Sequence, residues 1–245
     1  MKVPSIVEML KSGVHFGHLK SRWHPKMARF IFAYLLGVHV IDLEKTQAQL
    51  QEVLAVVKQM AAEGKQILFV STKPQAREIV KKAAIDAGMP YLTDRWVGGM
   101  LTNFSEMRKL IRHYVEMKGQ QASGELEKYT KKERLDISKD LEKKDVYLGG
   151  LVALDKMPDA IFVPSVQREK TAIVEANKTQ VPIIGVCDSN ANPDKVHFVI
   201  PANDDAVKAI TLIVESVAAA IKEGRAEWEK NMQAQKKEET KAPVV

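Results

Sequence analysis

Two hydrophobic rhythms alternate along the chain. Leu50, Val53, Leu54, Val57, Met60 and Ala61 recur at the three- and four-residue spacing of a helix that buries one face, and Gly64 marks its end. Thr46 with Gln49 has the spacing of a capping box at its start. The run Gln66-Ile-Leu-Phe-Val70 then has the length and apolar continuity of a strand covered on both faces. Thr72 and Gln75 repeat the capping pattern, Pro74 suits a first helical turn, and Ile79, Val80, Ala83, Ala84 and Ala87 form the next buried stripe. Gly88 stops that helix, and Met89-Pro-Tyr-Leu-Thr93 leads into a second strand. Strand, helix and strand at this spacing predict a βαβ unit with a right-handed crossover.

The rhythm changes from Phe104 to Lys144, where charge is dense and no strand signal occurs. Met107, Leu110, Ile111, Tyr114 and Met117 lie at helical spacing, Gly119 to Gly124 reads as a break, and Leu126, Tyr129, Leu135, Ile137 and Leu141 supply a returning helix. The α/β alternation resumes with Pro158-Asp-Ala-Ile-Phe-Val163, a helix from Glu169 to Lys178, Pro182-Ile-Ile-Gly-Val186 and His197-Phe-Val-Ile200. A last helix, capped by Asp204 and lined by Val207, Ile210, Leu212, Val214, Val217 and Ile221, is expected to end at Gly224. The pattern predicts one α/β domain over residues 1–104 and 145–224, with a parallel sheet, helices on both faces and an antiparallel helical hairpin inserted at 105–144. Residues 225–245 read as a charged, frayed tail.

Charge changes the picture at the N-terminal end. The 245 residues carry 37 Lys and Arg against 31 Asp and Glu, a net charge of +6, which favours an anionic partner without requiring one. Between Met9 and Ile41, however, there is no acid at all. Lys20, Arg22, Lys26 and Arg29 stand there among His15, Phe16, His18, Trp23 and His24, and cations interleaved with flat rings suit an RNA backbone with accessible bases. Phe30-Ile-Phe-Ala-Tyr-Leu-Leu36 reads as core, and Val38-His-Val-Ile-Asp42 as a short strand that ties the basic segment to the sheet.

Other function classes lose ground on composition. Cys187 is the only cysteine, so a disulfide within the chain and a cysteine zinc site are excluded, and its place at the end of an apolar strand suggests an inert buried thiol. The longest apolar run, Phe30 to Ile41, is too short for a bilayer, and Glu8 interrupts any signal-peptide core. No Gly-x-Ser-x-Gly elbow occurs, and His15, His18 and His24 lack compact zinc spacing.

Two loops could still carry chemistry. Arg95-Trp-Val-Gly-Gly-Met-Leu-Thr-Asn-Phe104 follows a strand, and Gly98 and Gly99 would let a phosphate approach the backbone. Arg95, Trp96 and Asn103 there offer a cation, a stacking face and a donor, for RNA or, alternatively, for a nucleotide- or metal-binding enzyme using that crevice. Neither G-x-G-x-x-G nor a Walker loop is present. Asp188, Asp204 and Asp205 fall after successive strands and could converge on a hard cation, but Asp204 is explained as an N-cap and Asp188 to Pro193 as turn chemistry, so no metal is expected there.

Four blocks, Gly13-Val-His-Phe-Gly-His18 with Trp23-His-Pro-Lys-Met27, Val40-Ile-Asp-Leu-Glu-Lys-Thr46, Arg95 to Phe104, and Ile200-Pro-Ala-Asn-Asp-Asp-Ala206, together resemble the bacterial-type small-subunit ribosomal protein S-two family. The resemblance implies a three-layer flavodoxin-like α/β fold with a coiled-coil hairpin, and a non-catalytic role without a cofactor. It implies binding to small-subunit ribosomal RNA and to other small-subunit proteins, with ribosomal protein S-one a partner in many bacteria. It places the protein on a bacterial ribosome in the cytoplasm or on an organellar one. His15, His18, Lys20, Arg22, Trp23, Lys26, Arg29, Arg95, Trp96 and Asn103 are the expected RNA contacts. The chain departs from the family pattern at His24, at Leu35-Leu36, and at Pro164-Ser-Val-Gln-Arg168, where an acidic segment is usual.

Overall fold

The computed structural model describes residues 3–239. Its centre is a five-stranded sheet made of β4 (Ile67–Val70), β5 (Tyr91–Leu92), β6 (Ala160–Val163), β7 (Ile183–Cys187) and β8 (Phe198–Pro201). They lie in the order β5-β4-β6-β7-β8 with every pairing parallel. This is the flavodoxin-like order, in which the winding reverses between the first and third strands in sequence, here β4 and β6. Side chains alternate between two cores because successive residues of a strand point to opposite faces. Ile67, Phe69, Phe162, Ile184 and Ile200 enter one core, while Leu68, Val70, Ile161, Val163 and Ile183 enter the other. Both faces being covered, these strands are the continuous apolar runs visible in the sequence.

The first core is closed by α1 (Ile6–Lys11), α2 (Leu43–Ala62), α3 (Pro74–Ala87) and α7 (Val207–Glu239). The second is closed by α4 (Phe104–Ser123), α5 (Lys131–Leu148) and α6 (Lys170–Lys178). Three helix starts differ from the sequence expectation. Asp42, not Thr46, caps α2 by accepting the amides of Glu44 and Lys45, while the Thr46 hydroxyl bonds the Pro201 carbonyl at 2.6 Å. Lys73 occupies the cap position of α3, and Thr72 instead donates its hydroxyl to Glu169. Before α7 it is the Asn203 side chain that accepts the amides of Asp205 and Ala206, leaving Asp204 for other work.

Two further expectations are corrected. Of the residues Phe30 to Leu36 only Phe30 is core, buried in the second cluster. β1 (Phe16–Leu19), β2 (Ile31–Leu35) and β3 (Val38–Ile41) form a separate antiparallel sheet in the order β1-β3-β2, and Phe32, at 74% exposure, and Tyr34 face outward. What anchors this sheet is Met27 and Phe30, buried in the second core, together with Met9 and Val14 in the first. The last helix also does not end at Gly224, because α7 continues to Glu239. Past the glycine, Arg225 donates to the carbonyls of Ala87 and Gly88, and Glu227 pairs with Lys58 at 2.8 Å. Residues 240–245 of the expected tail lie outside the described residues.

In the charged region, α4 runs unbroken through Gly119 and stops at Gly124, whose φ of +81° is left-handed. α5 then begins with a reciprocal capping box between Thr130 and Glu133. The Asp145 carboxylate on α5 accepts from the Tyr114 hydroxyl and the Lys118 ammonium of α4, and so ties the two helices together.

Candidate nucleic-acid interface

The carboxyl edge of the parallel sheet gathers charge that is scattered in sequence. Asp188 follows β7, Asp204 and Asp205 follow β8, Lys73 follows β4, and β1 of the small sheet delivers His18 from the side. Gly17 permits this approach, since a β-carbon there would lie 2.8 Å from the Ser189 hydroxyl and 2.9 Å from the His39 carbonyl. The His18 amide donates to that same hydroxyl at 2.7 Å. Its ring then bridges two acids, with Nδ1 3.1 Å from Asp188 and Nε2 3.2 Å from Asp205. The hydrogen bond to Asp188 raises the His18 pKa, against the opposing effect of burial.

Lys73 reaches Asp204 at 2.9 Å and Asp205 at 2.6 Å, and the Ser165 hydroxyl donates to Asp204 at 2.6 Å. Burial works against the Lys73 charge, but the two carboxylates prevail and hold its pKa above the ordinary value. Burial and the nearby Asp188 push Asp204 up, whereas the more exposed Asp205 is held down by Lys73 despite its partial burial. The expected convergence of the three aspartates is therefore present, but a lysine and an imidazole fill it. His18, Asp188 and Asp204 each present one ligand atom within 4.8 Å of the others, so they are the residues that could hold a divalent cation. Such an ion would have to displace the imidazole proton and compete with Lys73.

The glycine loop is likewise occupied. Glu175 on α6 is 8% exposed and accepts the Trp96 indole N–H at 3.0 Å, the Gly99 amide at 2.9 Å, and the amides of Leu101 and Thr102 at 3.1 and 3.3 Å. The Thr102 hydroxyl adds a fifth bond. Burial pushes its carboxyl up, yet these donors outweigh it and keep the pKa below the ordinary value. The Gly99 amide, with those of Leu101 and Thr102, thus already holds an internal anion, and a phosphate approaching these glycines would compete with Glu175 for it.

The ten expected RNA contacts divide into two groups. Lys20, Arg22, Lys26, Arg29, Arg95 and Asn103 are exposed. The first four lie on two short 3-10 turns, Lys20–Arg22 and Pro25–Phe30, which link β1 to β2. His15, His18, Trp23 and Trp96 are partly buried and engaged internally: His15 packs on Phe16, Trp23 stacks on His39 at 4.9 Å, and Trp96 bonds Glu175. Nor is the basic segment wholly uncompensated, because Asp194 from the far end of the chain pairs with Lys26 and Arg29. Sequence reading missed Lys73, Ser165, Ser189 and Glu175. The one available signal was Glu175's place on the apolar stripe of α6 beside Ala172, Ile173 and Ala176.

Fold and site together define a flavodoxin-like α/β protein whose sheet edge is closed by its own ion pairs and whose N-terminal turns display cations. The model of the family described as Ribosomal protein S2 matches residues 9–224, and the chain belongs to that family. It is accordingly a structural protein of the small ribosomal subunit. Among the described residues no helix is long and apolar enough to cross a membrane.

Proposed function

We propose that the protein binds small-subunit ribosomal RNA through Lys20, Arg22, Lys26 and Arg29, with Arg95 and Asn103 extending the contact, and that it does so in the cytoplasm. One observation carries this reading: four cations from an acid-free stretch remain exposed on two adjoining turns, with Asp194 their one acidic partner among the described residues. Short rigid turns present the charges at fixed spacing, which suits recognition of a folded RNA by phosphate position. His15, His18 and Trp23 support the turns through internal contacts with Phe16, Asp188 and His39, and Trp96 fixes the Arg95 loop on Glu175. The role proposed for this contact is structural, in keeping with the family.

Neighbouring small-subunit proteins, ribosomal protein S-one included, are assigned to the helical pair α4 and α5, which we treat as an inserted unit over residues 105–144. Its polar, charge-dense sequence is suited to protein contacts more than to core. Deleting Glu106 to Glu142 with a short linker is expected to weaken those partners more than RNA.

The RNA reading is tested by the salt dependence of binding to small-subunit ribosomal RNA. Each lost phosphate contact lowers the slope of log affinity against log salt by about 0.7–0.9. Arg22→Ala with Lys26→Ala should therefore reduce it by about 1.4–1.8; an unchanged slope removes these residues from the interface.

A further inference from the structure

We propose a second anion site, for a phosphate monoester, in the cleft at the carboxyl ends of β4, β5 and β6, sharing only Arg95 with the proposed RNA contact. The winding of the sheet reverses between β4 and β6, and open α/β sheets bind ligands in the crevice that such a reversal leaves outside the strand ends. Here that crevice is a cavity of about 300 Å³ whose walls include Arg77, Arg95, Arg168, Trp96 and Thr171. It does not use the amides of Gly99, Leu101 and Thr102, which Glu175 occupies.

The charge in the cleft is available. Two acids line it, and both are engaged: Glu169 accepts the amide and hydroxyl of Thr72, and Asp94 faces Arg77 at 3.5 Å. Arg77 is also fixed by the carbonyls of Thr72 and Asp94, at 3.2 Å each. Arg95 and Arg168 are exposed and make no ion pair or side-chain hydrogen bond among the described residues. Two free guanidiniums match the two negative charges of a monoester and can each grip it with paired N–H donors. The first turn of α6, whose amides have no intrahelical partners, adds Thr171 and Ala172 to the same wall. The cavity exceeds the size of a phosphate alone, and the Trp96 ring offers the attached nucleoside a flat surface.

A free nucleoside monophosphate and the 5′-phosphate of an RNA strand share this chemistry. The full chain would be titrated calorimetrically with adenosine 5′-monophosphate, adenosine, and a short single-stranded RNA with and without a 5′-phosphate. The phosphorylated probes are expected to bind saturably, and Arg95→Gln or Arg168→Gln to weaken them about tenfold or more. Binding of the monophosphate alone identifies a free nucleotide as the ligand, and binding of the phosphorylated strand identifies an RNA end. Equal binding with and without the phosphate, or an Arg168→Gln variant that binds as before, overturns the site. Arg168 lies outside the proposed ribosomal-RNA face, so this variant should keep the salt slope of RNA binding, and the two readings fail separately.

Discussion

The indole N–H of Trp96 points at the carboxylate of Glu175, 3.0 Å away, and draws the loop after β5 onto α6. Four more donors from Gly99 to Thr102 converge on the same group. A charge this buried is tolerated because each lone pair is met, and its removal leaves donors facing an amide. Glu175→Gln should therefore cost about 3 kcal/mol in urea unfolding, with faster amide exchange at residues 99–102. The folded pKa lies below the ordinary carboxyl value, so this stabilisation is complete above that value and lost as pH falls through the folded pKa. The variant should lack that acid-side loss; an identical acid profile in both proteins would refute the assignment.

His18 gives the opposite sign. Its folded pKa is raised by the bond to Asp188, reinforced by Asp205 and Asp204, while Lys73 sits across the same cluster. The stabilisation is complete below about 6.5, the ordinary histidine value, and disappears as pH rises through the folded pKa. Between about pH 6 and 8.5 the parent protein should therefore lose stability and its melting temperature should fall. His18→Gln should start lower and stay flat over that interval. A variant melting curve that still falls by the same amount would place the titration elsewhere.

The parallel sheet was legible because burial on both faces leaves Ile67 to Val70 and Ile183 to Cys187 uniformly apolar. The small antiparallel sheet was not, since Phe32, Tyr34 and Leu35 are apolar or aromatic yet exposed, and an apolar run reads as core whichever way it faces. Caps failed for a related reason: Thr46, Thr72 and Asp204 are of capping type, but tertiary partners 155, 97 and 39 residues away claim their side chains. At the candidate site the exposed cations were visible by composition. The carboxylates that use His18 and Trp96 arrive from distant elements, and no local spacing announces them.

Leu36 and Gly37 form the two-residue turn between β2 and β3, with φ of +49° and +86°. Both values belong to the left-handed region that a type I′ turn requires, where asparagine is favoured and leucine is strained. Leu36 is fully exposed, so its side chain has no packing to lose. Leu36→Asn should raise stability by about 1 kcal/mol at an unchanged urea slope. Destabilisation would mean that the apolar side chain contributes more than its backbone costs.

Gly224 sets two effects of known size against each other. In the middle of α7, alanine would gain about 1 kcal/mol of helix propensity. But a β-carbon there would overlap the Lys58 carbonyl, and it would lie 2.8 Å from the Ala61 β-carbon and 3.0 Å from the Ala62 amide, all on α2. Backbone cannot rotate aside as a side chain can, so the two helices must separate along a seam that includes Val57, Ala61, Val217 and Ile221. Overpacking of this kind costs about 1–3 kcal/mol, and obstruction by backbone puts it at the upper end. Gly224→Ala should thus lose about 2 kcal/mol net in urea unfolding, and Gly224→Ser more. A stabilised alanine variant would show that α7 can shift away from α2 without loss, and that the glycine is not what lets the helices approach.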